Sequence, residues 1–101
     1  MSLTKRFLKT KPECKVTFKL DEEACHDAKS IHLVGDFNGW DKEDTQLKKN
    51  KTGDYSVTVT LEVGKDYHFR YLIDGKKWVN DWEADYYAPT EFNSENSVVR
   101  L

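Results

Sequence analysis

Apolar and polar residues alternate with a period of two along most of the chain, the pattern of strands that bury one face. In residues 15–20, Val16, Phe18 and Leu20 fall on one side and Lys15, Thr17 and Lys19 on the other. Residues 30–35 predict a second strand, with Ile31 and Leu33 opposed to His32 and Val34. Residues 55–61 alternate strictly and are β-branched or aromatic, a composition that fits a half-buried pleated surface. Residues 67–73 predict the partner strand, with Tyr67, Phe69, Tyr71 and Ile73 inward. Three shorter strands complete the set: an edge strand at 46–49, a return strand at 77–79 and a closing strand at 96–101.

The intervals between these runs carry turn chemistry. Residues 51–54, containing Gly53, and the pair Asp74-Gly75 both predict turns, because glycine tolerates the positive φ that tight hairpins require. Residues 21–29 form a polar connection with room for a helical turn, and residues 80–95 predict a long polar and aromatic loop. There is no room for a long helix. Short strands separated by turns predict an all-β fold, an immunoglobulin-like antiparallel β-sandwich. With no repeat or linker to divide it, residues 14–101 are expected to form one domain. Residues 1–13, with Lys5, Arg6, Lys9 and Lys11, form a basic lead-in that either packs or stays loose.

Composition narrows the function classes. A chain of 101 residues is long enough to close one core without staples. Sixteen basic and 18 acidic residues give a net charge of −2, without the basic excess of a nucleic-acid binder. No apolar run approaches the roughly 18 residues of a spanning helix, and Met1 to Phe7 lack the apolar core of a signal peptide. A monomer in the cytoplasm is therefore expected, with no membrane and no nucleic-acid partner. Cys14 and Cys25 have no second pair to build a metal knuckle, and in a reducing compartment free thiols are expected, a disulfide remaining open by count. His26, His32 and His68 lie on separate segments without metal-ligand spacing, so neither metal nor cofactor is expected. An enzyme reading would lean on Asp81, Glu83 and Asp85, yet nothing marks a pair of them as acid and base.

Two stretches carry the candidate chemistry: Gly35-Asp36-Phe37-Asn38-Gly39-Trp40-Asp41, and the run from Phe69 through Asp74-Gly75 to Trp78. Each reads as a strand entering a turn that presents a tryptophan. Indoles on turns suit flat, hydroxyl-rich ligands better than they suit a core, and exposed aromatics are the informative exceptions. Trp40, between Gly39 and Asp41, is poorly placed for burial, whereas Trp78 has an inward alternative. Arg70 alternates outward from Phe69 and Tyr71, either toward a ligand or as a solvated charge. Asn96 has a capping alternative. Asp36 and Asp81 are assigned to turn geometry. Trp82, Tyr86 and Tyr87 stay open between ligand contact and covering the end of the sandwich.

These two motifs, with Tyr67 to Trp78 taken whole and Asn93-Ser94-Glu95-Asn96-Ser97-Val98-Val99 after them, resemble the early-set glycogen- and starch-binding modules, carbohydrate-binding module family 48. Such modules occur beside α-amylase-superfamily catalytic domains in branching and debranching enzymes and in the β subunit of AMP-activated protein kinase. The resemblance runs from about Lys15 to Leu101, and the chain looks like a stand-alone bacterial member without a catalytic barrel. It implies an early-set sandwich that binds an α-1,4-glucan or maltooligosaccharide and does not catalyse. It places the two stacking rings on Trp40 and Trp78, the basic donor on Arg70, the hydroxyl-and-amide pair on Ser94 and Asn96, and the inserting loop residue on Phe92. A glucan-metabolising enzyme in trans is a further implied partner. The alternative is a protein-interaction module that tethers or regulates such an enzyme without binding sugar itself.

Overall fold

The computed structural model describes residues 3–21, 23, 28–90 and 94–101. Within them the chain forms β1 (Leu3–Phe7), β2 (Glu13–Leu20), β3 (Ile31–Gly35), β4 (Thr45–Gln46), β5 (Lys48–Lys49), β6 (Tyr55–Glu62), β7 (Asp66–Ile73), β8 (Lys77–Val79), β9 (Tyr86–Pro89) and β10 (Glu95–Arg100). A single 3₁₀ turn, Asp36–Asn38, follows β3 among the described residues. One sheet runs β1-β2-β6-β5 and the other β4-β3-β7-β10-β9, with β8 added beside β7. Every pairing is antiparallel. The two sheets form an immunoglobulin-like sandwich. No described helix is long and apolar enough to cross a membrane.

The core follows from the pleat. Cys14, Val16, Phe18 and Leu20 of β2 are buried, as are Ile31 and Leu33 of β3 and Phe69, Tyr71 and Ile73 of β7. Aromatic edges close the centre: the Phe18 and Phe69 rings sit 4.9 Å apart at 74°, and those of Phe69 and Tyr71 5.7 Å apart at 83°. Such edge-to-face pairs add to simple burial because a positive ring edge meets a negative face. Cys14 is buried with a free thiol. Cys25, His26 and most of the connection in which a helical turn was expected lie outside the described residues.

Three elements go beyond what the sequence pattern specified. Part of the lead-in is a strand: β1 pairs along β2 from Leu3↔Phe18 to Phe7↔Cys14, and buried Leu3 joins the core. The expected edge strand at 46–49 is two strands in different sheets. β4 pairs with β3 and β5 with β6, while buried Leu47 between them donates its N–H to Ile31 O at 2.8 Å. One short segment thus turns a corner of the sandwich, as strands that switch sheets do. Finally, the long loop at 80–95 contains β9, paired to β10 from Tyr86↔Val98 to Pro89↔Glu95. Tyr86 holds this edge through its ring, which lies 4.5 Å beneath the Arg100 guanidinium, and through its hydroxyl, which donates to Asp66.

The approach to β9 is tied down by a buried polar network. Asp81 and Ser97 are fully buried. The Tyr71 hydroxyl donates to Asp81 Oδ2 at 2.8 Å, Asp81 N–H donates to Ser97 Oγ at 2.7 Å, and Ser97 Oγ donates to Asn80 Oδ1 at 2.9 Å. Asp81 also accepts the Glu83 N–H at 2.9 Å, the local turn bond expected of it, and its carbonyl accepts the Tyr87 hydroxyl at 2.6 Å. Burial pushes the Tyr71 phenol well above its ordinary range, and the neighbouring Asp81 charge and hydrogen bond push the same way. The folded state therefore keeps Tyr71 protonated where the unfolded chain, titrating near pH ~10, would lose the proton. Stability is full below that pH and declines as pH rises above it. Denaturant unfolding between pH 8 and 11 should show this decline. Tyr71→Phe should flatten it while costing about 1–3 kcal/mol at neutral pH, the usual consequence of depriving a buried carboxylate of a donor.

Candidate functional site

Gly35 starts the site because β3 and β7 approach too closely there for any side chain. A Cβ at that position would lie 2.5 Å from His68 O and 2.8 Å from Phe69 Cβ. The chain then enters the 3₁₀ turn, and Asn38 closes it. The Asn38 side chain accepts the Gly35 N–H at 3.1 Å and donates to Leu33 O at 2.8 Å and Thr45 Oγ1 at 3.2 Å. Phe37 points down onto the core, 5.6 Å from the Phe18 ring and 6.2 Å from Tyr67. Trp40 is left on the other side of the turn, half-buried, with its N–H donating to Gly35 O at 2.9 Å. Gly39 and Trp40 both adopt left-handed backbone, at φ 66° and 59°. For a bulky residue this is an outlier costing on the order of 1–2 kcal/mol. It persists because the bonds around it over-determine the turn, a situation typical of ligand clamps. Asp36 does more than shape the turn: it accepts the Trp40 Nε1–H at 2.9 Å and the His68 N–H at 2.8 Å.

The second indole is placed by the β7–β8 hairpin. Asp74 and Gly75 both have positive φ, as the sequence signal required. The Asp74 carboxylate accepts the N–H groups of Lys29 and Ser30 at 2.7 and 2.9 Å, and these bonds lower its pKa, Ser30 contributing most. Register sets Trp78 opposite Leu72, whose side chain leaves the face of β7 opposite to Tyr71 and Ile73. Trp78 therefore stands on the outer face, 39% exposed, and the Lys42 ammonium lies 5.9 Å from its ring centroid.

Arg70 lines the same cleft as the two rings and leaves β7 on the same outer face as Leu72. Its Nε donates to Asn96 Oδ1 at 2.9 Å and its Nη2 to Ser94 Oγ at 2.8 Å. Ser94 Oγ is in turn 2.7 Å from Thr90 Oγ1, and Thr90 N–H donates to Ser94 O at 2.8 Å, which locks the β9–β10 hairpin. The guanidinium, planar and permanently charged, is thus oriented by neutral partners, and a fork of five donors has some left for a ligand. Trp40, Arg70, Trp78, Pro89, Thr90, Ser94 and Asn96 line one open cleft of about 650 Å³. That volume lies in the range of small-molecule sites, and the mix of apolar rings with a few converging polar groups is their usual lining.

Five of the six residues singled out from sequence, Trp40, Arg70, Trp78, Ser94 and Asn96, come together in this cleft. The sixth, Phe92, lies outside the described residues. The sequence reading missed Pro89 and Thr90. Recognising residues 86–89 as a strand would have placed them across the hairpin from Ser94. Asp81, Glu83 and Asp85 do not line the cleft: Asp81 is consumed in the Tyr71 network, and Asp85 accepts the Arg100 N–H and pairs with Lys5 at 2.6 Å. Trp82, 66% exposed, lies outside the cleft lining too. No group of three or more His, Cys, Asp or Glu among the described residues is arranged to hold a metal ion.

Comparison with known proteins meets this geometry. The family model for the glycogen recognition site of AMP-activated protein kinase matches residues 15–101. A 1,4-alpha-glucan branching enzyme, GlgB, from Butyrivibrio fibrisolvens is 36% identical over 61 residues. The match takes in 60% of this chain and 10% of the enzyme, so the chain spans about a tenth of that relative's length.

The close approach at Gly35 yields a direct test. Gly35→Ala drives a methyl group into the β7 backbone and should cost about 1–3 kcal/mol, the range for overpacking. Thermal unfolding should show a lowered midpoint, and the Trp40 indole N–H resonance should move with it, because the turn is built on that contact.

Proposed function

The chain belongs to the family of the glycogen recognition site of AMP-activated protein kinase, and on that premise we propose that its cleft binds an α-1,4-glucan chain or maltooligosaccharide, stacking pyranose rings on Trp40 and Trp78. The family is a non-catalytic carbohydrate-binding module. The observation that carries the reading is the juxtaposition of two indoles with the Arg70–Asn96–Ser94 hydrogen-bonded array along one cleft. A pyranose has a face of C–H groups and a rim of hydroxyls. The indoles answer the face, and Arg70, Ser94 and Asn96 answer the rim.

Magnitudes point to weak binding. Burying about 100 Å² of apolar surface on each ring contributes about 5 kcal/mol gross over the two. Immobilising the sugar and desolvating polar groups remove a large share of what stacking and hydrogen bonds supply. A dissociation constant between about 10 µM and 1 mM follows. Retention on a polymer then comes from many repeated sites rather than from one tight one.

A second reading, docking to a glucan-metabolising enzyme in trans, is favoured by the exposed rings of Trp82 and Phe7 outside the cleft. Titration with maltoheptaose, followed by NMR of amide and indole N–H groups, separates the two. On the first reading, saturable shifts cluster on Trp40, Arg70, Trp78 and Asn96, and Trp40→Ala or Trp78→Ala weakens binding about tenfold or more, the equivalent of losing one stacked ring. Spectra that stay unchanged at about 10 mM sugar, beyond the weak limit expected, would leave the docking reading in place.

A further inference from the structure

We propose that Asp36 is the positioning residue of this cleft: its carboxylate grips the Trp40 ring by the indole N–H, so that Trp40 offers a ligand its faces and no donor. The inference rests on the glucan-binding reading for its consequence, and on geometry alone for its cause. Trp40 projects from a turn, half-buried, and one side-chain hydrogen bond, Nε1–H to Asp36 Oδ1 at 2.9 Å, sets the plane of its ring. The carboxylate cannot swing to follow the ring, because Oδ2 accepts the His68 N–H at 2.8 Å. His68 precedes Arg70 by two residues on the same strand and the same face. Asp36 therefore ties the first stacking surface to the strand that carries the guanidinium, and the spacing between ring and charge is held before any ligand arrives.

Two donors converge on Asp36, and this is why the position calls for a carboxylate. An ionised carboxyl group accepts on both oxygens, whereas the Asn amide accepts on one side and must turn an NH₂ toward a donor on the other. Asp36→Asn, nearly identical in shape, can keep only one of the two donors; the His68 N–H is fixed in the β7 backbone, so the indole, carried on a side chain that can turn away, is the one released. The second consequence concerns specificity. With the indole N–H committed, reading of hydroxyls falls to Arg70, Thr90, Ser94 and Asn96 of the cleft lining, and Trp40 discriminates by face alone.

The test needs three measurements. In the ligand-free wild-type protein, the Trp40 indole N–H should exchange with solvent measurably more slowly than that of exposed Trp82, and Asp36→Asn should remove the difference. Asp36→Asn should weaken maltoheptaose binding by about tenfold, as expected for loss of a charge-assisted hydrogen bond that sets the site. In a Trp40→Phe background, whose ring has no N–H to grip, the same substitution should cost less than about twofold. Equal losses in both backgrounds, or a Trp40 indole that exchanges as fast as Trp82 in the wild type, would overturn the assignment. Should the wild type bind no maltoheptaose, the glucan reading fails. The grip on Trp40 is then judged by indole exchange alone, which uses no sugar, and its loss in Asp36→Asn sustains it.

Discussion

The pleat of β7 sends Phe69, Tyr71 and Ile73 into the space between the sheets and Arg70 and Leu72 out of it, and both the core and the cleft depend on that alternation. On one side β7 pairs with β3, whose end at Gly35 leads into the turn that carries Trp40. On the other it pairs first with β10, which brings Asn96 beside Arg70, and then with β8, which carries Trp78. A slip of one residue would exchange the faces, placing a guanidinium among the core rings and exposing Phe69 and Tyr71. The aromatic core thus holds the register of the cleft, and the cleft needs no separate scaffold.

Rigidity is supplied twice more. The buried Tyr71–Asp81–Ser97–Asn80 network fixes the chain between β8 and β9, so that the hairpin bearing Thr90 and Ser94 returns to the same place. Its members are satisfied: among the described residues no buried side-chain nitrogen or oxygen lacks a hydrogen-bond partner. At the opposite end of the cleft, Trp40 is held in left-handed backbone by bonds to Gly35 and Asp36. A weak binder profits from such preparation, because ordering side chains at the moment of binding would consume much of what two stacked rings contribute.

Much of this was legible in the order of residues. Strict alternation in β2, β6 and β7 named the core positions, and Asp74-Gly75 marked a hairpin whose two residues do adopt positive φ. What escaped was pairing that has little local signature. β1 carries Lys5 and Arg6 and reads as a basic segment that either packs or stays loose; it lies along β2 because Leu3 finds the core and Lys5 finds Asp85. β9 reads as loop because Tyr86-Tyr87-Ala88-Pro89 ends in a proline, a residue tolerated on the edge strand it turns out to be. The split of residues 45–49 between two sheets depends on buried Leu47, a single apolar residue in a charged stretch.

By itself the sequence determined the strand alternation, the turn positions and the residue types able to meet a sugar, because these follow from the two-residue period of a strand and from the backbone freedom of glycine. The tertiary structure decided which of those residues meet. Trp40 and Trp78 are separated in the chain by four whole strands, β4 to β7, and they share a cleft because β3 and β8 both pair with β7. The same holds for Asp36, which reads as an ordinary turn residue. It becomes the acceptor for an indole and for a neighbouring strand once folding brings the His68 N–H to its second oxygen.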